Sequence, residues 1–137
     1  MKRIKREIFI EAPVERVWEH ISDPVKIAGW LMPNDFEARV GKAFSMDCAE
    51  QGKIACVVKE VLPPRKLVYS FRSQATRVET VVSFTLTEEG AGTRLTLIHD
   101  GWDSLPPGEQ GVADQFEGGW DAYLRGLQAR LAEPVAP

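Results

Sequence analysis

His99 is the residue of this chain best placed to do chemistry. It stands in phase with Leu95 and Leu97 on an apolar stripe, and Asp100, Trp102 and Asp103 follow it. A histidine there can be a polar handle or a general base, with a nearby carboxylate orienting the ring. The alternative is a strand-end histidine bonded to backbone. No activated serine or cysteine signature accompanies it, so no catalytic residue is assigned. The second histidine, His20, falls on an early helix and reads as a surface residue. Cys48 and Cys56 straddle a tight turn, which makes them candidate cross-strand neighbours for redox pairing. With His99 they show no metal-ligand spacing. Neither a phosphate-cradling nor a dinucleotide-binding glycine motif occurs. The expectation is no metal and no cofactor. Glu60, Arg72, Arg77 and Glu79 lie on β segments. Facing inward they would anchor a polar ligand group; the solvated reading leads.

These residues need a scaffold, and composition bounds it. The chain has 137 residues, 44% of them hydrophobic and 27% charged, ordinary values for one globular domain with a real core. A net charge of −3 argues against nucleic acid or an anionic membrane as partner, since both need a concentrated positive field. The basic start (Lys2, Arg3, Lys5, Arg6) alternates with Ile4 and Ile8 and reads as an exposed strand face. No apolar run is long enough to span a membrane, and no signal peptide is apparent. Two cysteines make no disulfide framework. The expectation is a cytoplasmic protein with reduced thiols, residues 1–132 forming one domain and 133–137 a frayed tail.

Periodicity then sets the elements. Residues 3 to 11 alternate, with Ile4, Ile8 and Ile10 on one face: a half-buried strand. Pro13 suits a helix start, and Val14, Val17, Trp18 and Ile21 follow at helical spacing. Asp23 caps a second, short helix carrying Ile27, Trp30 and Leu31. β grammar follows: 36–39, 43–49, 53–62, 66–73, 78–88 and 93–100, joined by short turns that imply antiparallel neighbours. Residues 101–111 read as a loop. Val112, Phe116, Trp120, Tyr123, Leu124, Leu127 and Leu131 then mark a long amphipathic helix. Gly118 and Gly119 interrupt it at a cost of up to ~1 kcal/mol each. Close approach to the sheet or a bend at a cavity mouth would explain them.

One sheet face must be covered, because Tyr69, Phe71, Phe84 and Leu97 cannot all stay wet. The last helix can cross it. A sheet bent around one helix leaves room for an apolar cavity. The expected lining is Trp30, Phe36, Met46, Tyr69, Phe71, Phe84, Leu97, His99, Trp102, Phe116 and Trp120, with Trp30 and Trp102 near the rim. The fold class is therefore α+β, a curved antiparallel sheet wrapped around a long C-terminal helix in the order β-α-α-β6-α.

That order resembles the START-like (SRPBCC, birch-pollen-allergen-like) superfamily with its helix-grip fold. The closer resemblance is to small bacterial relatives of the activators of the heat-shock-protein-90 ATPase, the Aha-type family. It rests on Ile10-Glu11-Ala12-Pro13-Val14-Glu15-Arg16-Val17-Trp18, on Glu60 to Tyr69 around Pro63-Pro64, on Gly92 to Trp102, and on Gly118-Gly119-Trp120 with Leu124 and Leu127. Trp30 and Pro33 lie in that family's variable helix-to-strand passage. The paired glycines common before its third strand read Val40-Gly41 here. The resemblance spans about residues 3 to 132 and is specific for fold, poor for function. It implies binding of a hydrophobic small molecule such as a lipid, polyketide or flavonoid-like compound. The alternatives it implies are a chaperone-linked interaction module and a cyclase-, aromatase- or hydrolase-like enzyme using His99. Either a monomer or a homodimer fits.

Overall fold

The computed structural model describes residues 3–48, 52–73, 78–102 and 111–132. Strand β1 (Ile4–Ile10) leads into helix α1 (Val14–Ser22) and helix α2 (Pro24–Trp30). Strands β2 (Ala43–Cys48), β3 (Gly52–Leu62), β4 (Lys66–Phe71), β5 (Thr80–Glu89) and β6 (Gly92–Asp100) follow, and helix α3 (Gly111–Ala132) ends the described chain. The six strands form one antiparallel sheet in the order β1-β6-β5-β4-β3-β2. Short turns make β2 to β6 a meander, and β6 then pairs with β1. A bulge between Val58 and Glu60 in β3 adds local bend and twist. This is the expected α+β helix-grip architecture, with α3, about 33 Å long at 1.5 Å per residue, lying in the concave face.

One expected strand is absent. Residues 36–39 form no strand, so five strands rather than six follow the helices. The preceding stretch instead runs along the outer edge of β2. Asp47 N–H donates to the Pro33 carbonyl at 2.9 Å and Asp35 N–H to the Ser45 carbonyl at 3.3 Å. Ser45 N–H donates to the Asp35 carboxylate at 2.7 Å. These bonds occupy the edge that a further strand would have taken. The loop at 74–77, most of the loop at 101–111, the turn residues 50–51 and the tail at 133–137 lie outside the described residues, as does the Val112 side chain.

The helix starts follow their sequence signals. Asp23 caps α2 by accepting from Val25 N–H at 2.9 Å, and Pro24 takes the first helical position. Asp23 N–H in turn closes the end of α1 on the Glu19 carbonyl at 3.0 Å. One aspartate therefore fixes the angle between two helices. α2 approaches α3 at Gly29, where an added Cβ would stand 2.7–2.9 Å from the Arg130 guanidinium.

The inward strand residues are those the alternation assigned, with one exception. Ile4 and Ile10 are buried as expected, but Arg6 shares their face rather than the solvent face. Its guanidinium reaches α3, 2.6 Å from Asp121 and 2.9 Å from Glu117. The apolar stem spans the sheet rim while the charge stays half in water. Gln128 of α3 donates to the Phe9 carbonyl at 2.7 Å. The edge strand is thus tied to the helix by side chains, not by a further strand.

Candidate functional site

The inward faces of β4, β5 and β6 bring Phe71, Thr80 and His99 under α3. Trp120 Nε1–H donates to His99 Nδ1 at 3.0 Å. An indole N–H can only donate, so Nδ1 holds the lone pair and the imidazole proton sits on Nε2. His99 Nε2 lies 2.7 Å from Thr80 Oγ1, and the Thr80 hydroxyl donates to the Phe71 carbonyl at 2.8 Å. Trp102 Nε1–H donates to the His99 carbonyl at 3.0 Å. Each donor meets an acceptor, which is what a polar cluster in an apolar interior requires.

The rings close around it. Phe71, Trp102, Phe116 and Trp120 all stand within 6.1 Å of the imidazole, centroid to centroid. Burial pushes the imidazole pKa down to about 3, because the charged form would lose its hydration with no anion beside it. His99 is therefore neutral, and its one lone pair is spent on Trp120. Asp100 points the other way. It is exposed, accepts from Gly101 N–H at 2.8 Å and faces Arg3 at 3.6 Å. It does not orient the ring, and Asp103 lies outside the described residues.

Beside this block the packing opens. A void of about 70 Å³ is lined by Met32, Cys48, Phe71, Gln115, Phe116, Gly119, Trp120 and Tyr123. That is room for a few water molecules. Cys48, Phe116, Gly119 and Tyr123 are only part-buried and Gln115 is exposed, so they form its mouth. A second void of about 10 Å³ lies deeper, among Ile27, Trp30, Asn34, Phe36, Phe44, Met46, Tyr69 and Phe84. An edge-on aromatic chain runs through that region: Phe36 to Phe44 at 5.0 Å, Phe44 to Tyr69 at 5.3 Å and Trp30 to Phe84 at 6.3 Å.

The expected lining thus divides. Phe71, Phe116 and Trp120 border the outer void; Trp30, Phe36, Met46, Tyr69 and Phe84 border the inner one. Leu97, His99 and Trp102 border neither. Trp102 is fully buried and Trp30 is buried with its Nε1–H on the His20 carbonyl at 2.7 Å, so neither stands at a rim. Sequence spacing missed Met32, Cys48 and Gln115, which come from a passage, a strand end and a helix turn of no shared period. Gly119 borders the outer void, where an added Cβ would meet only the Tyr123 ring at 4.0 Å, and Gly118 would meet nothing within 4 Å. Close approach to the sheet does not explain either glycine.

Other expectations are corrected by position. His20 is buried against α1, with Nδ1 2.9 Å from the Arg16 carbonyl. Burial lowers its pKa. Cys48 pairs with Gly52 and Cys56 with Phe44, so the thiols are four residues apart along the ladder, about 13 Å. Both are free, and burial pushes the Cys56 thiol up to about 12. Arg72 and Glu79 are exposed, Glu60 pairs with Lys66 at 3.6 Å, and Arg77 lies outside the described residues. Among the described residues no group of three His, Cys, Asp or Glu could hold a metal ion, and no helix is long and apolar enough to cross a membrane.

A helix-gripping sheet with a small apolar void beneath α3 defines the class: a START-like domain. The sequence narrows this. Residues 11–132 match the family of activator of Hsp90 ATPase homolog 1-like proteins, and the chain belongs to that family. It is similar to protein MLL2253 of Mesorhizobium loti, with 28% identity over 98% of this chain and 100% of that one, at a TM-score of 0.87. It is also similar to BH1534 of Bacillus halodurans, with 29% identity over 96% and 97% of the two chains, at a TM-score of 0.80. The Aha1 dimer of Colwellia psychrerythraea, 17% identical over 96% of each chain at a TM-score of 0.80, shares the fold. No curated protein matches the chain.

Proposed function

We propose that this protein binds a small, flat, apolar molecule in the void between α3 and the ends of β2 and β4. The observation that carries the reading is the part-open void itself, walled by Phe71, Phe116 and Trp120 and rimmed by Gln115, Tyr123 and Cys48. Ligand sites combine apolar walls with a few polar groups at the edge. The void is smaller than the ~300–1,000 Å³ of a drug-sized pocket, so binding involves displacement of lining side chains. Met32 is the natural one to move, being unbranched and adaptable. The reading is binding rather than catalysis, because His99 has no free lone pair and no carboxylate partner.

The Hsp90 ATPase connection belongs to the family name. Among the described residues the exposed large apolar side chains, Phe9, Val25, Val40 and Leu62, sit on four different segments, and nothing in their placement favours a chaperone partner.

Gly119→Leu fills the void from the helix side, while Gly118→Leu places the same side chain in open space. With N-phenyl-1-naphthylamine as fluorescent probe, the wild type and Gly118→Leu should show saturable binding, and Gly119→Leu a loss of at least about tenfold. Equal binding by both variants defeats the proposal.

A further inference from the structure

A second polar cluster lies away from the voids, where the three helices meet. Arg16 and His20 stand one turn apart on α1 and share a face. The Arg16 guanidinium donates to the Leu131 carbonyl of α3 at 3.3 Å. The preceding residue, Arg130, lays its guanidinium over Gly29 of α2, in the space that a Cβ would need. Gly29 adjoins Trp30, whose Nε1–H donates to the His20 carbonyl at 2.7 Å. Two guanidiniums from different helices are thus gathered around one imidazole, and the charges of both act on it.

The ring is oriented by its own helix. His20 Nδ1 lies 2.9 Å from the Arg16 carbonyl. A carbonyl only accepts, so Nδ1 carries the proton and Nε2 the lone pair. Nε2 has no partner among the described residues, and no buried side-chain nitrogen or oxygen there lacks one. Nε2 is therefore the surface-facing atom of a residue only 8% exposed. A guanidinium has five N–H donors. Arg16 spends one on Leu131, and Arg130 makes no hydrogen bond or ion pair among the described residues. Lys26 and Glu19 at the edge answer each other at 2.6 Å. A positive excess remains, in a chain of net charge −3. The C-terminal turns of α2 and α3 favour nearby cations. They do not explain donors left unpaired beside a lone pair that protonation turns into one donor more.

We propose that Arg16, His20 and Arg130 form an anion site for the phosphate group of a small soluble ester, with His20 protonated when the group is bound. It is separate from the binding reading above, since none of the three residues borders either void. Forked N–H pairs match a tetrahedral oxyanion, and the imidazolium adds Nε2–H. The charged groups around His20 are Arg16 and Glu19 on α1, Lys26 on α2 and Arg130 on α3. Burial and the three cations keep the empty ring neutral at pH 7. An anion cancels that repulsion, so binding takes up a proton and strengthens as pH falls.

Sulfate is the probe, because it keeps its double charge over about pH 5–8 whereas phosphate titrates. The chain has two histidines. His99, with a pKa of about 3, is silent in that range, so the imidazole NMR signal of His20 reports alone. At equal ionic strength its pKa should stand about one unit higher in sulfate than in chloride, a tenfold preference of sulfate for the protonated site. Arg130→Gln should erase the difference. Gly29→Ala keeps all three side chains, favours the helix and displaces the Arg130 guanidinium, so it should erase the difference without loss of Tm. Phenyl phosphate should compete with sulfate, and vesicles of phosphatidylcholine with phosphatidic acid should not bind. The same His20 pKa in sulfate and chloride overturns the site, and so does a difference that survives both variants. Binding to the vesicles without competition by phenyl phosphate overturns the soluble ligand.

Discussion

Trp120 has two neighbourhoods under α3, and they differ in kind. On one side its indole N–H completes the His99–Thr80–Phe71 chain, where every polar group is matched and rings pack on all sides. On the other it borders the outer void with Met32, Cys48 and Gly119. The first neighbourhood is a rigid polar block that locks helix to sheet. The second offers pliable side chains and missing volume. A histidine beside a void invites the reading of an active site. The geometry assigns the histidine to the scaffold and leaves the void as the place for the proposed binding.

The sharpest way to break this contrast is acid. His99 has a folded pKa of about 3 against an ordinary 6.5. The unfolded chain therefore takes up the proton first. Stability from this group is complete above about pH 6.5 and is lost as pH falls toward 3. At ~1.36 kcal/mol per unit, the upper bound is about 4–5 kcal/mol. Buried His20, also shifted down, adds in the same direction. Urea midpoints at pH 7, 5.5 and 4.5 should fall steeply for the wild type and less steeply for His99→Gln. Parallel pH profiles would show that the block does not depend on a neutral His99.

A smaller effect tests the chain from its other end. Thr80→Val keeps the shape but strands the His99 Nε2–H and the Phe71 carbonyl. It should cost about 1–3 kcal/mol in urea unfolding while leaving probe affinity intact. A neutral result would remove the block's structural role; a lost affinity would merge the two neighbourhoods. The smallest effect separates the two glycines. Gly118→Ala and Gly119→Ala should each stabilise α3 by up to ~1 kcal/mol, read as a raised Tm, and only Gly119→Ala should bind probe more weakly. Equal affinities would mean that the void is not where the probe sits.

Much of this protein was legible in its sequence because period and punctuation are local. Alternation placed Tyr69, Phe71, Phe84, Leu95 and Leu97 on one sheet face, helical spacing placed Trp120, Leu124, Leu127 and Leu131 on one stripe, and Asp23-Pro24 marked a helix start. Those patterns set the α+β class and the helix that the sheet grips. They also identified most of the aromatic interior. Residues 36–39 were misread as strand because alternation cannot tell a paired segment from one that only runs past an edge. Arg6 was misread because a charge on an inward position is satisfied by α3, more than a hundred residues away.

The tertiary structure alone decided which residues share a partner. His99 meets Trp120 and Thr80 across three elements, the cysteines are held apart by register, and Met32 faces Cys48 and Phe71 around a void that no stretch of chain contains. Local pattern determines which face of a strand or helix is buried. Whether a buried group is matched or left beside empty space depends on distances between elements, and those exist only once the sheet has closed on its helix.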